Sequence, residues 1–207
     1  MFLPEKVKKI ISMLEDSGFE AFVVGGCVRD SLLGKEPTDY DITTSALPEE
    51  TKEVFKNEHV IETGIKHGTV TVLMEGEPFE ITTFRIDENY LDNRRPEKVL
   101  FTRSLKEDLS RRDFTINAMA YSEKTGIIDV FGGVSDLEHR IIKTVGDADT
   151  RFNEDALRIM RVLRFSSVLG FEIEEKTAFS VFKNRKLLKN ISAERIFSEL
   201  KKLICGI

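Results

Sequence analysis

The chain has 207 residues, of which 41% are hydrophobic and 32% charged, with a formal net charge of −5. That length holds one ordinary domain and a smaller second piece, and the composition excludes disordered, collagen-like and membrane-spanning classes. The charge is uneven: residues 176–202 carry eight basic side chains against Glu194 and Glu199, net +6, which leaves −11 for the remainder. Such a division suits a polyanion grip attached to an acidic, metal-binding part, and equally a solvated helix face. Two distant cysteines, Cys27 and Cys205, offer neither zinc-ligand spacing nor a disulfide framework, so a reducing cytoplasm is the expected compartment. Residues 1–6 lack the features of a secretory signal.

Residues 6–17 place Val7, Ile10, Ile11 and Leu14 at helical spacing, and Gly18 ends the pattern. Residues 21–24 form a short apolar run that predicts a strand, broken by Gly25-Gly26 before a helix opening at residues 28–33. A turn at 34–37 leads to a second strand at 40–42, and Pro48 starts a helix over 48–55. Strands follow near 60–61, 69–74 and 79–84, the last two joined by a hairpin turn at Glu75-Gly76-Glu77. Residues 87–105 read as a long polar connection containing Arg94-Arg95-Pro96, and 109–120 as a helix. A short strand at 127–129 and a turn at Gly132-Gly133 precede a chain that is helical from residue 153 onward, with breaks at Gly170 and 190–192. The domain boundary is placed near Gly146. His59, His67 and His139 have no ligating spacing, and Phe165, Phe171, Phe179 and Phe182 are expected in the core.

The chemistry starts at Asp39-Tyr40-Asp41. In a strand, residues i and i+2 share a face, and two adjacent carboxylates repel unless a cation lies between them. They suit a hard divalent ion such as Mg²⁺. Gly25-Gly26, between a strand and a helix, lets backbone N–H groups approach phosphate oxygens, and Arg29 adds a charged donor. Glu80, on a later strand, is a third carboxylate for the same ions. Together these point to nucleotidyl transfer assisted by two metal ions.

Six stretches carry a family resemblance: Gly25-Gly26-Cys27-Val28-Arg29-Asp30, Asp39-Tyr40-Asp41-Ile42, Thr82-Thr83-Phe84-Arg85, the run from Arg111-Arg112-Asp113 through Asn117 to Ala120, Asp129-Val130-Phe131-Gly132-Gly133, and Glu154-Asp155-Ala156-Leu157-Arg158. In this order they resemble the class II tRNA nucleotidyltransferase and bacterial poly(A) polymerase family, whose best-known members are CCA-adding enzymes. The resemblance implies an α+β fold. A polymerase-beta-like nucleotidyltransferase head, with a small mixed sheet and flanking helices, would occupy residues 1–145, and an all-helical neck 146–207. It implies Mg²⁺ held by Asp39 and Asp41 with help from Glu80, and CTP, ATP and the 3′ end of tRNA as partners, with no membrane.

For the nucleotide, the resemblance implies Gly25, Gly26 and Arg29 at the triphosphate and Arg112 on the nucleotide. Asp113 and Asn117 would serve the ribose and local architecture, with Asp155, Arg158, Arg161 and Arg164 farther along. The loop with Arg94-Arg95-Pro96 resembles that of enzymes able to add A, and Ser192-Ala193-Glu194-Arg195 resembles a motif that braces the neck. Asp155 and Arg158, read as three apart on one helix, also have a chemical logic of their own. A carboxylate only accepts hydrogen bonds and a guanidinium only donates them. Cytosine and adenine offer an amine beside a bare ring nitrogen; guanine and uracil offer the reverse. A run of surface salt bridges, including Glu154 to Arg158, is the plainer reading of the same helix. An A-only adder or poly(A) polymerase, and a nucleotide- or RNA-binding piece without turnover, remain as alternatives to CCA addition. Family members usually continue into body and tail domains, so a chain stopping at Ile207 is expected to be a fragment, a catalytic piece or one part of a split enzyme.

Overall fold

The computed structural model describes residues 1–91 and 95–206, and the side chains of all of these except 88–91 and 95–98. Arg94 and the side chains of Arg95 and Pro96, and with them the expectation placed on that loop, therefore lie outside what is described. The chain divides into two compact units. The first is formed by Met1–Ile86, Val99–Arg111 and Asn117–Val130; the second by Asp87–Lys98, Arg112–Ile116 and Phe131–Ile207. The division read from the sequence, after residue 145, falls within the second unit.

In the first unit, α1 (Glu5–Asp16) buries Val7, Ile10, Ile11 and Leu14 along one stripe. It stops at Gly18, whose φ of +88° only glycine adopts without strain. Then come β1 (Ala21–Val24), α2 (Gly26–Leu32), β2 (Asp41–Thr44), α3 (Pro48–Val54), β3 (His59–Ile61), β4 (Thr69–Met74) and β5 (Glu77–Thr83). Glu75 and Gly76 both have positive φ, as a two-residue hairpin between β4 and β5 requires. The strands β6 (Arg85–Leu91) and β7 (Arg95–Phe101), most of whose residues belong to the second unit, pair as a separate two-stranded sheet. The expected long polar connection over 87–105 thus contains paired strands. After α4 (Leu105–Ser110), β8 (Met119–Ser122) and β9 (Gly126–Asp129) complete a sheet of order β3-β4-β5-β2-β1-β8-β9. It is mixed: β2 runs parallel to β5 and antiparallel to β1. All four residues of the central β1 are buried, which explains its unbroken apolar run.

The expected helix over 109–120 does not form. α4 ends at Ser110, Thr115–Asn117 is a 3₁₀ turn, and β8 follows. Residues 113–120 are all buried, Phe114, Ile116, Ala118, Met119 and Ala120 fully, so burial runs through the whole stretch and not along one helical stripe. Within the second unit, backbone donors at 115 and 145 bond to the carbonyls of Lys143 and Asp113 (3.0 and 3.1 Å), so this stretch pairs laterally instead of coiling.

The second unit continues with α5 (Gly133–Glu138), β10 (Ile141–Ile142), α6 (Ala148–Glu154), α7 (Leu157–Leu169), β11 (Glu172–Ile173), α8 (Glu175–Asn184) and α9 (Ala193–Cys205). Asp147 caps α6 by accepting the Thr150 N–H at 2.8 Å. Ala156, Leu157 and Ile191 form a core with Met160, Leu187 and Ile196. Phe165 and Phe171 are buried as expected, but Phe179 and Phe182 are 70% and 66% exposed. On the amphipathic α8 they fall on the face away from Thr177 and Ser180, which are the buried residues of that helix. No described helix is long and apolar enough to cross a membrane, and neither Cys27 nor Cys205 is in a disulfide.

Candidate active site

The head site grows from the end of β1. Val24 pairs with Asp41, so the glycine turn after β1 lies beside the start of β2. Gly25 has φ 80° and ψ −127°, a backbone region closed to side chains, and it hands the chain directly to α2. Its N–H bonds to the Met119 carbonyl at 3.3 Å, tying the turn to β8. Replacing Gly25 with Ala is expected to cost about 1–3 kcal/mol, read as a lower melting temperature. Equal stability would mean that the turn can relax.

Arg29 follows one turn later. Its Nε and Nη2 grip Asp30 at 2.8 and 2.9 Å, and Nη1 donates to Asn117 Oδ1 at 2.7 Å. This two-pronged hold fixes the guanidinium plane. Asn117, 94% buried, is thereby joined to the triphosphate candidate on α2.

Asp39, Asp41 and Glu80 are all exposed and line one cleft of about 560 Å³ together with Lys6 and Thr71. The sheet register accounts for two of them. Ile42 and Ile81 are paired and 1% exposed, so Asp41, which opens β2, and Glu80, in the middle of β5, each one residue earlier, alternate to the other face. Asp39 corrects the expectation of two carboxylates on one strand: β2 begins at Asp41, and Asp39 precedes it. Thr38 donates its hydroxyl to Asp39 at 3.2 Å. Among the described residues no three His, Cys, Asp or Glu side chains are gathered closely enough to hold a metal ion by themselves. Magnesium is commonly held by one or two carboxylates, with phosphate oxygens and water completing its shell. The hard oxygen donors of this cleft fit that ion.

A buried carboxylate missed in the sequence supports the same strand. Asp108 is 0% exposed. Its oxygens accept from Arg111 Nε and Nη2 (3.0 and 2.9 Å), the Arg85 N–H (3.3 Å) and the Thr43 hydroxyl on β2 (3.4 Å). The three-residue spacing to Arg111 was its only signal, and it reads equally as a surface pair.

In the second unit, Asp113 is 8% exposed and accepts Arg161 Nε and Nη2 at 2.7 and 2.6 Å. The Asp113 carboxylate holds the Arg161 proton more tightly than usual, against the opposing effect of burial. Arg164 is 8% exposed; its Nε donates to Glu199 Oε2 at 2.7 Å and its guanidinium lies over the Phe165 ring at 4.1 Å. Arg112 is partly buried between α4 and the 3₁₀ turn. Asp155 is not on the helix of Arg158: it is an extended residue (φ −136°, ψ 103°) between α6 and α7. Its Oδ1 accepts the Leu157 N–H at 3.0 Å, and Arg195 Nη2 donates to Oδ2 at 3.0 Å. Arg158 Nη1 donates to Glu154 Oε2 at 2.6 Å and to the Arg151 carbonyl at 3.1 Å. Glu199 and Arg195 lie 35 and 40 residues from their partners, beyond the reach of any spacing rule.

A head of this topology, with a glycine turn and carboxylates lining one cleft, defines a nucleotidyltransferase class. Residues 21–143 match the family model described as the poly A polymerase head domain, and residues 170–206 match the probable RNA and SrmB-binding site of polymerase A. The chain is 54% identical to the CCA-adding enzyme of Pediococcus pentosaceus over 202 residues, 98% of this chain and 50% of that one. It superposes on the Bacillus stearothermophilus CCA-adding enzyme in complex with CTP with a TM-score of 0.88 at 46% identity, covering 98% of this chain and 49% of that one. The Thermotoga maritima CCA-adding enzyme complexed with tRNA gives 0.80 at 28% identity, covering 98% and 48%. The chain belongs to the tRNA nucleotidyltransferase and poly(A) polymerase family. It spans about half the length of the curated relatives it matches.

Proposed function

We propose that this chain is the nucleotide-selecting and nucleotidyl-transferring part of an enzyme that adds C and A, from CTP and ATP, to the 3′ end of tRNA without a template. The observation that carries this reading is the cleft lined by Asp39, Asp41 and Glu80, with the glycine turn beside the start of β2. The likeness to CCA-adding enzymes supports the choice of substrate. The functional division is a catalytic head over 1–145 and a nucleotide-selecting helical neck over 146–207, working in a reducing cytoplasm.

Asp39 and Asp41, with Glu80, would hold Mg²⁺, which when bound supplies charge neutralisation at the α-phosphate and the leaving pyrophosphate. The Gly25-Gly26 turn and Arg29 contact the triphosphate, Arg29 being pre-aimed by Asp30 and Asn117. Asp113 and Arg161 hold each other, and Arg164 is locked to Glu199, so these three act by shaping the nucleotide-binding part. Arg112 joins them on the nucleotide. Asp155 accepts from the base amine and Arg158 donates to the bare ring nitrogen. A guanine or uracil edge leaves polar groups unpaired, at about 1–3 kcal/mol each.

Two measurements test this. Binding of each nucleoside triphosphate with Mg²⁺ is expected to favour CTP and ATP over GTP and UTP. Incubation with tRNA lacking its last one, two or three nucleotides is expected to incorporate both C and A. Incorporation of A alone identifies an A-only adder, and binding without incorporation identifies a nucleotide-binding piece.

A further inference from the structure

The reading pair has an internal difficulty. Asp155 and Arg158 carry opposite charges at close sequence spacing, and a carboxylate and a guanidinium form the strongest side-chain hydrogen bonds available to either. A pair that closed on itself would offer a base edge neither acceptor nor donor. In the structure each is drawn to another partner. Arg158 reaches back to Glu154 and the Arg151 carbonyl. Asp155 is gripped from α9 by Arg195, with Nη2 on Oδ2 at 3.0 Å and Nη1 near Oδ1 at 3.5 Å.

The Asp155 backbone makes that grip necessary. Asp155 is the extended residue that ends α6, its N–H on the Arg151 carbonyl at 3.3 Å, so its side chain leaves the chain at the junction of two helices and is aimed by its own contacts. The Leu157 N–H holds only Oδ1. Arg195 holds the second oxygen from a separate helix, and a carboxylate oxygen has room for a further donor beside a guanidinium N–H. The helix that carries Arg195 is anchored independently of Asp155, because Glu199, one turn later on α9, is locked to Arg164.

We propose that Arg195 is a positioning residue for base selection: it holds the Asp155 carboxylate turned from Arg158, as a fixed acceptor for the exocyclic amine of cytosine or adenine. This rests on the reading that Asp155 and Arg158 judge the base. Arg195 itself touches neither base nor phosphate in this scheme. Its loss therefore changes the ratio between nucleotides, not the grip on the triphosphate.

The test uses the full chain with Mg²⁺ and measures dissociation constants for CTP, ATP, UTP, GTP and inorganic tripolyphosphate, which has no base. Arg195→Met is expected to reduce the preference for CTP over UTP by about tenfold, the scale of one misplaced hydrogen bond. Tripolyphosphate affinity should stay within about twofold and the fold should survive by circular dichroism. Arg195→Lys keeps the charge but not the two-pronged geometry, and should recover part of the preference. An unchanged ratio in Arg195→Met, or equal weakening of all five ligands, overturns the proposal. Asp155→Ala separates the two levels. If it abolishes the preference while Arg195→Met does not, Arg195 alone is misassigned. If it leaves a wild-type preference intact, base reading by Asp155 fails and this inference falls with it.

Discussion

Asp41→Ala is expected to lower the rate of nucleotidyl transfer by on the order of 10³-fold or more, with little change in melting temperature. Removing a single preorganised electrostatic group at a reacting centre typically costs about 10²–10³-fold. A carboxylate that also holds the metal should reach the upper end. Asp41 is the first residue of β2 and is exposed, while Ile42, Thr43 and Thr44 after it are buried. Truncation therefore opens no cavity, and surface changes of this kind usually stay within about 0.5 kcal/mol. Asp41→Asn keeps the shape and removes the charge, so it should lose nearly as much activity. The Mg²⁺-dependent part of CTP affinity should weaken in both variants, while affinity measured in EDTA should not. Transfer by Asp41→Ala at the wild-type rate would show that the cleft at Asp39, Asp41 and Glu80 is not the reacting centre.

The Asp39-Tyr40-Asp41 run and the glycine turn were legible in the sequence because each is local, whereas Glu80 joins the cleft only through the pairing of β2 with β5. A glycine pair after an apolar run marks a strand ending in a turn, and Gly25 indeed takes a backbone that only glycine tolerates. The hairpin at Glu75-Gly76 and the stripe of α1 are local in the same sense. Two misreadings came from ambiguous spacing. Residues 109–120 contain enough apolar positions to fit a helix, but 113–120 are buried without a break, and lateral backbone pairing decided the outcome. Asp155 and Arg158 have helical spacing, yet the helix restarts between them at Leu157. The ion pairs were not legible at all. Arg161 meets Asp113 across 48 residues and Arg164 meets Glu199 across 35. Sequence periodicity registers which side chains turn inward, but not which inward charge finds which partner.

Of those pairs, the one between Arg164 and Glu199 should dominate stability. Glu199 is 5% exposed on α9 and Arg164 8% exposed on α7. Glu199 Oε2 accepts from Arg164 Nε at 2.7 Å, and Oε1 lies 3.9 Å from Arg161 and 3.8 Å from Lys202. Glu199→Ala removes the buried carboxylate that accepts from Arg164 Nε while leaving the guanidinium on α7. Stranding one member of a buried pair costs about 3–5 kcal/mol. For a chain of this size that is a fall in melting temperature of roughly 6–20 °C, measurable by circular dichroism. Arg161 is spared, because Asp113 still holds it at 2.6 Å. Lys183→Ala is the control: its pair with Asp149 is largely exposed and should be worth less than about 1 kcal/mol. Replacing both partners, Arg164→Met with Glu199→Leu, should recover most of the loss, because no charge is then stranded. If Glu199→Ala melts within about 2 °C of the parent, the interior of the second unit is held by its apolar contacts alone.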